Sequence, residues 1–272
     1  MRQQIKDWCQ AHPHLISFVS FILFFVWLKS LLGWPVAFML ATSFVIHEYS
    51  HVWVMKRIGM RIKGVIFIPF LGAVALGGGI KILTRKQECL IAMAGPLMGY
   101  LSALPVFIAF AITGNPLFGT AFTYIVLLNL FNMLPLSPLD GGRIIKSIFM
   151  SFKNRMTGFL VWGAIGAASS YYLMRMNISI IIFALVIFVA VQEFMNEWRL
   201  HRVRQRAEKI LLRYEGLSKA EREARLREEY YENIEIVETA REMSKAMEPL
   251  TLKSGIVFSL VYIILAGWPF LM

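Results

Sequence analysis

The sequence predicts an all-α polytopic membrane protein with about seven transmembrane helices, a re-entrant β-like segment near residues 64–80 and a cytoplasmic helical hairpin. Three observations carry this. The chain is 57% hydrophobic and 17% charged, whereas soluble domains are roughly half apolar and about a quarter charged. Apolar runs of spanning length, roughly 17–25 residues, recur along it. The basic residues between those runs all but segregate to one side.

Taken in order, the spans are expected at residues 14–31, 33–55, 88–112, 117–138, 156–175, 177–195 and 254–271. The first follows a polar N-terminus with Arg2 and Lys6 and no small-residue cleavage site, so it reads as a retained signal anchor. Between the second and third spans lies "GVIFIPFLGAVALGGGI", Gly64 to Ile80. Glycines, β-branched residues and Pro69 make it a poor helix. A non-helical hairpin is tolerated at membrane depth only where protein or a water-filled cavity covers it. The bounds this gives are an N-terminal span (1–32), a three-span core (33–145), two further spans (146–196), the charged hairpin (197–253) and a C-terminal span (254–272).

Charge orients the chain. With the N-terminus in the cytoplasm, 26 of the 28 Lys and Arg residues fall on the cytoplasmic side, Lys29 and Arg175 excepted. Such a bias sets topology. With no targeting sequence and this compact form, a plasma membrane of bacterial or archaeal type is expected, an organelle membrane being the alternative, with the lipid bilayer as a partner. The net charge of +11 does not indicate nucleic acid. Residues 1–196 carry 15 basic against 5 acidic residues, and that excess sits in short loops, while residues 197–272 carry 13 against 12. Cys9 and Cys89 are too few for a disulfide framework or a cysteine-based zinc site.

The hairpin is the one long hydrophilic segment. Leu200, Val203, Ala207, Ile210, Leu211 and Tyr214 recur at helical spacing before Gly216. Ser218 and Glu221 then form a capping-box pattern for a second helix bearing Tyr230, Ile234 and Val237.

Chemistry concentrates in "SFVIHEYSHVWVMK", Ser43 to Lys56. His47, Glu48 and His51 spell H-E-x-x-H within an apolar span, where ionisable residues are rare and functional by default. On a helix His47 and His51 lie about one turn apart on one face. Two imidazoles so placed can share a zinc ion, with Glu48 at its rim where a bound water would be deprotonated. A catalytic zinc wants a third protein ligand. Asp140, in "NLFNMLPLSPLDGGR", is the other acid at the end of an apolar segment. Pro135 and Pro138 break the helix there, so this carboxylate can turn toward a metal; alternatively Asp140 caps a helix starting near Gly142. Topology favours convergence. His47 and His51 lie about 14 and 8 Å from the cytoplasmic end of their span, and Asp140 stands near the cytoplasmic end of its own.

H-E-x-x-H in one span with N-x-x-P-x-x-x-L-D-G in a later one resembles the site-2 protease family of intramembrane zinc metalloproteases. Asn132, Pro135, Leu139, Asp140 and Gly141 complete the second motif, and "AGPLMG", Ala94 to Gly99, resembles the family's Gly-Pro element. The resemblance covers residues 33–145. It implies one Zn2+ per subunit held by His47, His51 and Asp140, with Glu48 as catalytic base and Asn132 placing or polarising the scissile carbonyl. It also implies a substrate with a transmembrane helix, such as a membrane-tethered regulator or a leftover signal peptide, unwound by strand addition to the 64–80 segment. The chain leaves room for neither a PDZ domain nor a pair of CBS motifs, which many relatives carry. A zinc transporter has no need of Glu48 beside His47, and a silent adaptor is expected to have lost a ligand or the base.

If the three ligands meet at one ion, cysteine pairs joining the second span to the Pro135–Asp140 loop will crosslink from the cytoplasmic side. Accessibility labelling that finds Asp140 at the opposite face rejects the arrangement.

Overall fold

The structure, a computed structural model, describes residues 12–68, 72–78, 83–136, 139–151 and 249–267, with scattered positions between 158 and 221 and at 269. Its elements are α1 (Pro13–Leu32), α2 (Trp34–Arg57), β1 (Arg61–Ile68), β2 (Gly72–Gly78), α3 (Arg85–Thr113), α4 (Pro116–Asn132), α5 (Asp140–Phe149) and α6 (Leu252–Gly267). The spans expected at 156–175 and 177–195, and all but the last residues of the 197–253 hairpin, lie outside the described residues apart from those scattered positions.

α1 and α3 are long and apolar enough to cross a membrane, and α4 and α6 are apolar but shorter. Phe18 and Leu23 of α1, Phe38 of α2 and Ile112 of α3 are 64, 63, 59 and 79% exposed. So many large apolar side chains left exposed, together with two apolar helices of spanning length, fit a membrane protein.

Several boundaries differ from the sequence expectation. α3 begins at Arg85, not near residue 88, because Thr84 and Gln87 form a capping box: Gln87 N–H donates to Thr84 Oγ1 (3.2 Å), and Thr84 N–H to Gln87 Oε1 (3.1 Å). α4 stops at Asn132 and not at 138, since Pro135 disfavours helix in the residue before it. α1 begins at Pro13, one residue before the expected span. The Gly-rich segment is an antiparallel hairpin of β1 and β2, starting three residues before the expected Gly64.

Residues Gly64 to Ile68 of β1 face Leu76 to Gly72 of β2 in order. Val65 N–H donates to Ser17 Oγ (2.9 Å) and Phe67 N–H to Ser20 Oγ (3.1 Å), so the outer edge of β1 is closed by two α1 hydroxyls. A β-carbon on Gly64 would meet Ser17 Oγ at 2.8 Å, and its absence lets strand and helix approach this closely. Backbone groups alternate in an antiparallel pair. Since the N–H groups of Val65 and Phe67 point toward α1, their partners Ala75 and Ala73 point theirs away from β1, to the edge that no described strand covers.

Aromatic packing fixes the hairpin to the helices. Phe24 of α1 stacks on Phe44 of α2 at 4.7 Å between ring centroids, and Phe67 meets Phe21 edge-on at 5.5 Å. This cluster runs on through Leu40, Ala103 and Ile125. A second apolar cluster joins Ala92 and Met93 of α3, Met133, Ile144 of α5, and Phe258 and Leu265 of α6. Between α3 and α5 lies a buried ionic group. Lys146 Nζ is 2.8 Å from Glu88 Oε1, while Arg85 Nη1 (3.3 Å) and the Ser147 hydroxyl (2.9 Å) engage Oε2.

The hairpin geometry predicts an asymmetry between neighbouring residues. Val74→Pro removes a rung shared with β1 and should unpair the strands, whereas Ala75→Pro removes only an outward N–H and should leave them paired. Amide hydrogen exchange of Ile66 reads the difference.

Candidate metal centre

His47 and His51 project from the second half of α2 toward α3, where Gly95 makes room for them. A β-carbon on Gly95 would collide with His51 Nε2 and lie 2.7 Å from His47 Nε2. One turn on, Gly99 clears the same face for the Asn129 side chain of α4. The paired glycines of "AGPLMG" thus form a groove in which imidazole and amide lie against the backbone, a use of small residues common between membrane helices.

The third arm comes from the start of α5. Its N-cap is Leu139, with no side-chain capping bond, so Asp140 does not serve as the cap that the sequence left open. Gly141 lets α5 press on the preceding turn: a β-carbon there would strike Met133 O. The carboxylate is free to point inward.

The three side chains meet. His47 Nε2 and His51 Nε2 are 3.2 Å apart, and Asp140 Oδ2 lies 3.3 and 3.1 Å from them. All three residues are buried, as the one such group among the described residues whose donor atoms could hold a metal ion. Tetrahedral zinc with bonds of about 2.0–2.1 Å spaces its ligand atoms about 3.3–3.4 Å apart. The observed triangle has that size.

Hydrogen bonds on the far side of each ring fix which lone pairs face in. His51 Nδ1 is 2.7 Å from the Ile91 carbonyl, which can only accept, so Nδ1 carries the proton. His47 Nδ1 is 2.9 Å from Asn129 Oδ1, and Asn129 Nδ2 donates to Ile125 O (2.8 Å), which orients the amide with its oxygen toward the ring. Both Nε2 atoms therefore present lone pairs to a point shared with a carboxylate oxygen. Three acceptors converging in a buried space call for a cation. Arg143 Nη1, 3.5 Å from Asp140 Oδ1, steadies the outer carboxylate oxygen.

Glu48 and Asn132 stand differently. Glu48 is half-buried on α2, within electrostatic reach of His47, Asp140 and Arg143, and outside the triangle. Asn132 closes α4 with its Nδ2 donating to Leu128 O (3.1 Å), and it makes no hydrogen bond to the triangle among the described residues. Sequence reasoning missed Asn129. Its signal was available: a second asparagine inside an apolar span, three residues before Asn132.

An H-E-x-x-H helix joined by a carboxylate from another helix, buried among apolar elements, is a ligand set able to hold one metal ion. Residues 35–124 match Peptidase family M50. Zinc metalloprotease MJ0392 of Methanocaldococcus jannaschii is 27% identical over 192 residues, covering 65% of this chain and 56% of that protein. Rip3 of Mycobacterium tuberculosis, whose name assigns it provisionally to the zinc metalloproteases, is 38% identical over 146 residues, 51% of this chain and 36% of its own. The match to Peptidase family M50 covers a third of this chain, and the relatives that extend it are named as zinc metalloproteases. The chain spans between about a third and just over half the length of these relatives. A solved structure, the site-2 protease from Methanocaldococcus jannaschii, aligns with a TM-score of 0.44 at 28% identity over 65% of this chain and 88% of that one.

Asn129→Ala frees the outer nitrogen of His47, and loss of such a partner weakens metal binding by about 10–100-fold. Gly95→Ala, which drives a methyl into both imidazoles, should abolish binding. Chelator competition on purified protein measures both, and wild-type affinity in either variant contradicts this geometry.

Proposed function

We propose that this protein is an intramembrane zinc metalloprotease that hydrolyses a peptide bond in or near the transmembrane segment of a membrane-tethered substrate. The convergence of His47 Nε2, His51 Nε2 and Asp140 Oδ2 within about one tetrahedral edge of each other carries the reading. In it His47, His51 and Asp140 hold one Zn2+. The bound ion supplies Lewis acidity, lowering the pKa of a coordinated water to about 7.

The chain's own groups do the rest. Glu48, beside His47 but not a ligand, accepts the water's proton and returns it to the leaving amine. Asn132 keeps one amide hydrogen beyond its bond to Leu128 O, and this hydrogen can donate to the scissile carbonyl. A transmembrane helix hides its peptide bonds in its own hydrogen bonding, so cleavage requires unwinding. With the β1 edge closed by Ser17 and Ser20, the outward N–H groups of Ala73 and Ala75 offer the edge to which an unwound substrate can add. The orientation follows from the basic loops, with the N-terminus in the cytoplasm and the site in the cytoplasmic half of the membrane; we take that membrane to be a bacterial or archaeal plasma membrane. The 64–80 hairpin then enters from that side.

Glu48→Gln should retain zinc and lose cleavage, because an amide cannot take the water's proton. His47→Ala, His51→Ala and Asp140→Ala should lose both. Proteomics of membranes containing the wild type or Glu48→Gln identifies the substrate as the partner that accumulates uncleaved in the variant. Equal zinc loss in all four variants would make Glu48 a ligand and overturn the assignment.

A further inference from the structure

α6 lies well beyond the segment matched to the family, residues 35–124. It nevertheless touches the turn bearing the third ligand. The Tyr262 hydroxyl donates to Met133 O at 2.9 Å. That carbonyl stands at the C-cap of α4, where helical donors run out. The same oxygen is the atom nearest to where a β-carbon on Gly141 would sit, so it abuts the residue that follows Asp140. One oxygen is thus held on one side by the last helix and pressed on the other by the helix carrying the ligand.

The far end of α5 is tied as well. Leu250 N–H, just before α6, donates to Ser151 Oγ (3.0 Å), and Ser151 donates to Ser147 O (2.7 Å). Between these ties Phe258 and Leu265 pack in one buried cluster with Met133 and Ile144. α6 and the residues leading into it therefore hold the segments that flank the ten-residue α5 on both sides.

We propose that Tyr262 is a positioning residue for the metal site, setting the Met133 carbonyl and through it Gly141 and the Asp140 carboxylate. The proposal rests on the zinc reading above. Without the hydroxyl, a buried carbonyl is left short of its donor, and the 133–134 peptide turns to find another. Any such turn moves the surface on which Gly141 rests. A metal site depends on supporting contacts of this kind nearly as much as on its ligands.

The test uses the full chain in lipid nanodiscs and reads zinc affinity by competition with a fluorescent chelator, together with the visible spectrum of the Co2+-substituted protein. Tyr262→Phe, which keeps the ring, should bind zinc about tenfold more weakly and shift the Co2+ bands. Leu265→Ala, which loses packing in the same buried cluster but keeps the Met133 bond, should lower stability while leaving zinc affinity within about twofold of wild type, because the bond that sets the Met133 carbonyl is intact. Wild-type affinity in Tyr262→Phe overturns the proposal, as does an equal loss in Tyr262→Phe and Leu265→Ala, which would mean general loosening. Should Tyr262→Phe fail to fold, Ser151→Ala decides: weakened binding supports the hold on both sides of α5, and unchanged binding refutes it. A wild-type chain that takes up no zinc sinks the metalloprotease reading itself, a result distinct from all of these.

Discussion

Two imidazole nitrogens and a carboxylate oxygen aimed at one point inside apolar helices repel each other unless a cation stands between them. Most of what surrounds His47, His51 and Asp140 serves to hold that unfavourable arrangement. The outer nitrogens are tied to Asn129 and to the Ile91 carbonyl, so neither ring can swing away or change tautomer. The outer carboxylate oxygen leans on Arg143. In a medium without water to stand in for a missing partner, each of these bonds matters more than it would at a protein surface.

Close approach is the second requirement, and it explains glycines that hydropathy alone would leave unexplained. Gly95 and Gly99 let α2 and α4 send side chains against the α3 backbone, and Gly141 lets α5 close on the end of α4. Large residues elsewhere on the same helices are turned outward, with Leu97, Leu101 and Ile108 all exposed. α3 is thus small toward the metal and bulky toward lipid.

How much of this was legible in the sequence depends on whether the information was local. The H-E-x-x-H spacing places two nitrogens on one helix face by geometry alone, and Asp140 followed as the remaining acid at a span's end. Pro135 announced a break, though not that α4 would stop at Asn132. The Thr84–Gln87 capping box was readable and overlooked. Asn129 was visible as a polar residue in an apolar run, but its partner lies 82 residues away, a relation that periodicity cannot express. The Tyr262 bond to Met133 spans 129 residues and left no pattern at all. The hairpin segment was readable as non-helical from its glycines and Pro69, while which of its edges is closed depends on two serines of α1.

The pairing of Glu88 with Lys146 bears on how such a protein can change over generations. Buried ion pairs cost several kcal/mol when one member is lost and about nothing when both are replaced by apolar residues. Here the two charges sit on α3 and α5, 58 positions apart, and α5 begins with a metal ligand. A lineage that replaced Lys146 alone would leave Glu88 with Arg85 and Ser147 on Oε2 but no cation on Oε1, beside the helix that begins with Asp140. The two sites are therefore coupled in inheritance, and where one is found altered among descendants the other should have changed with it.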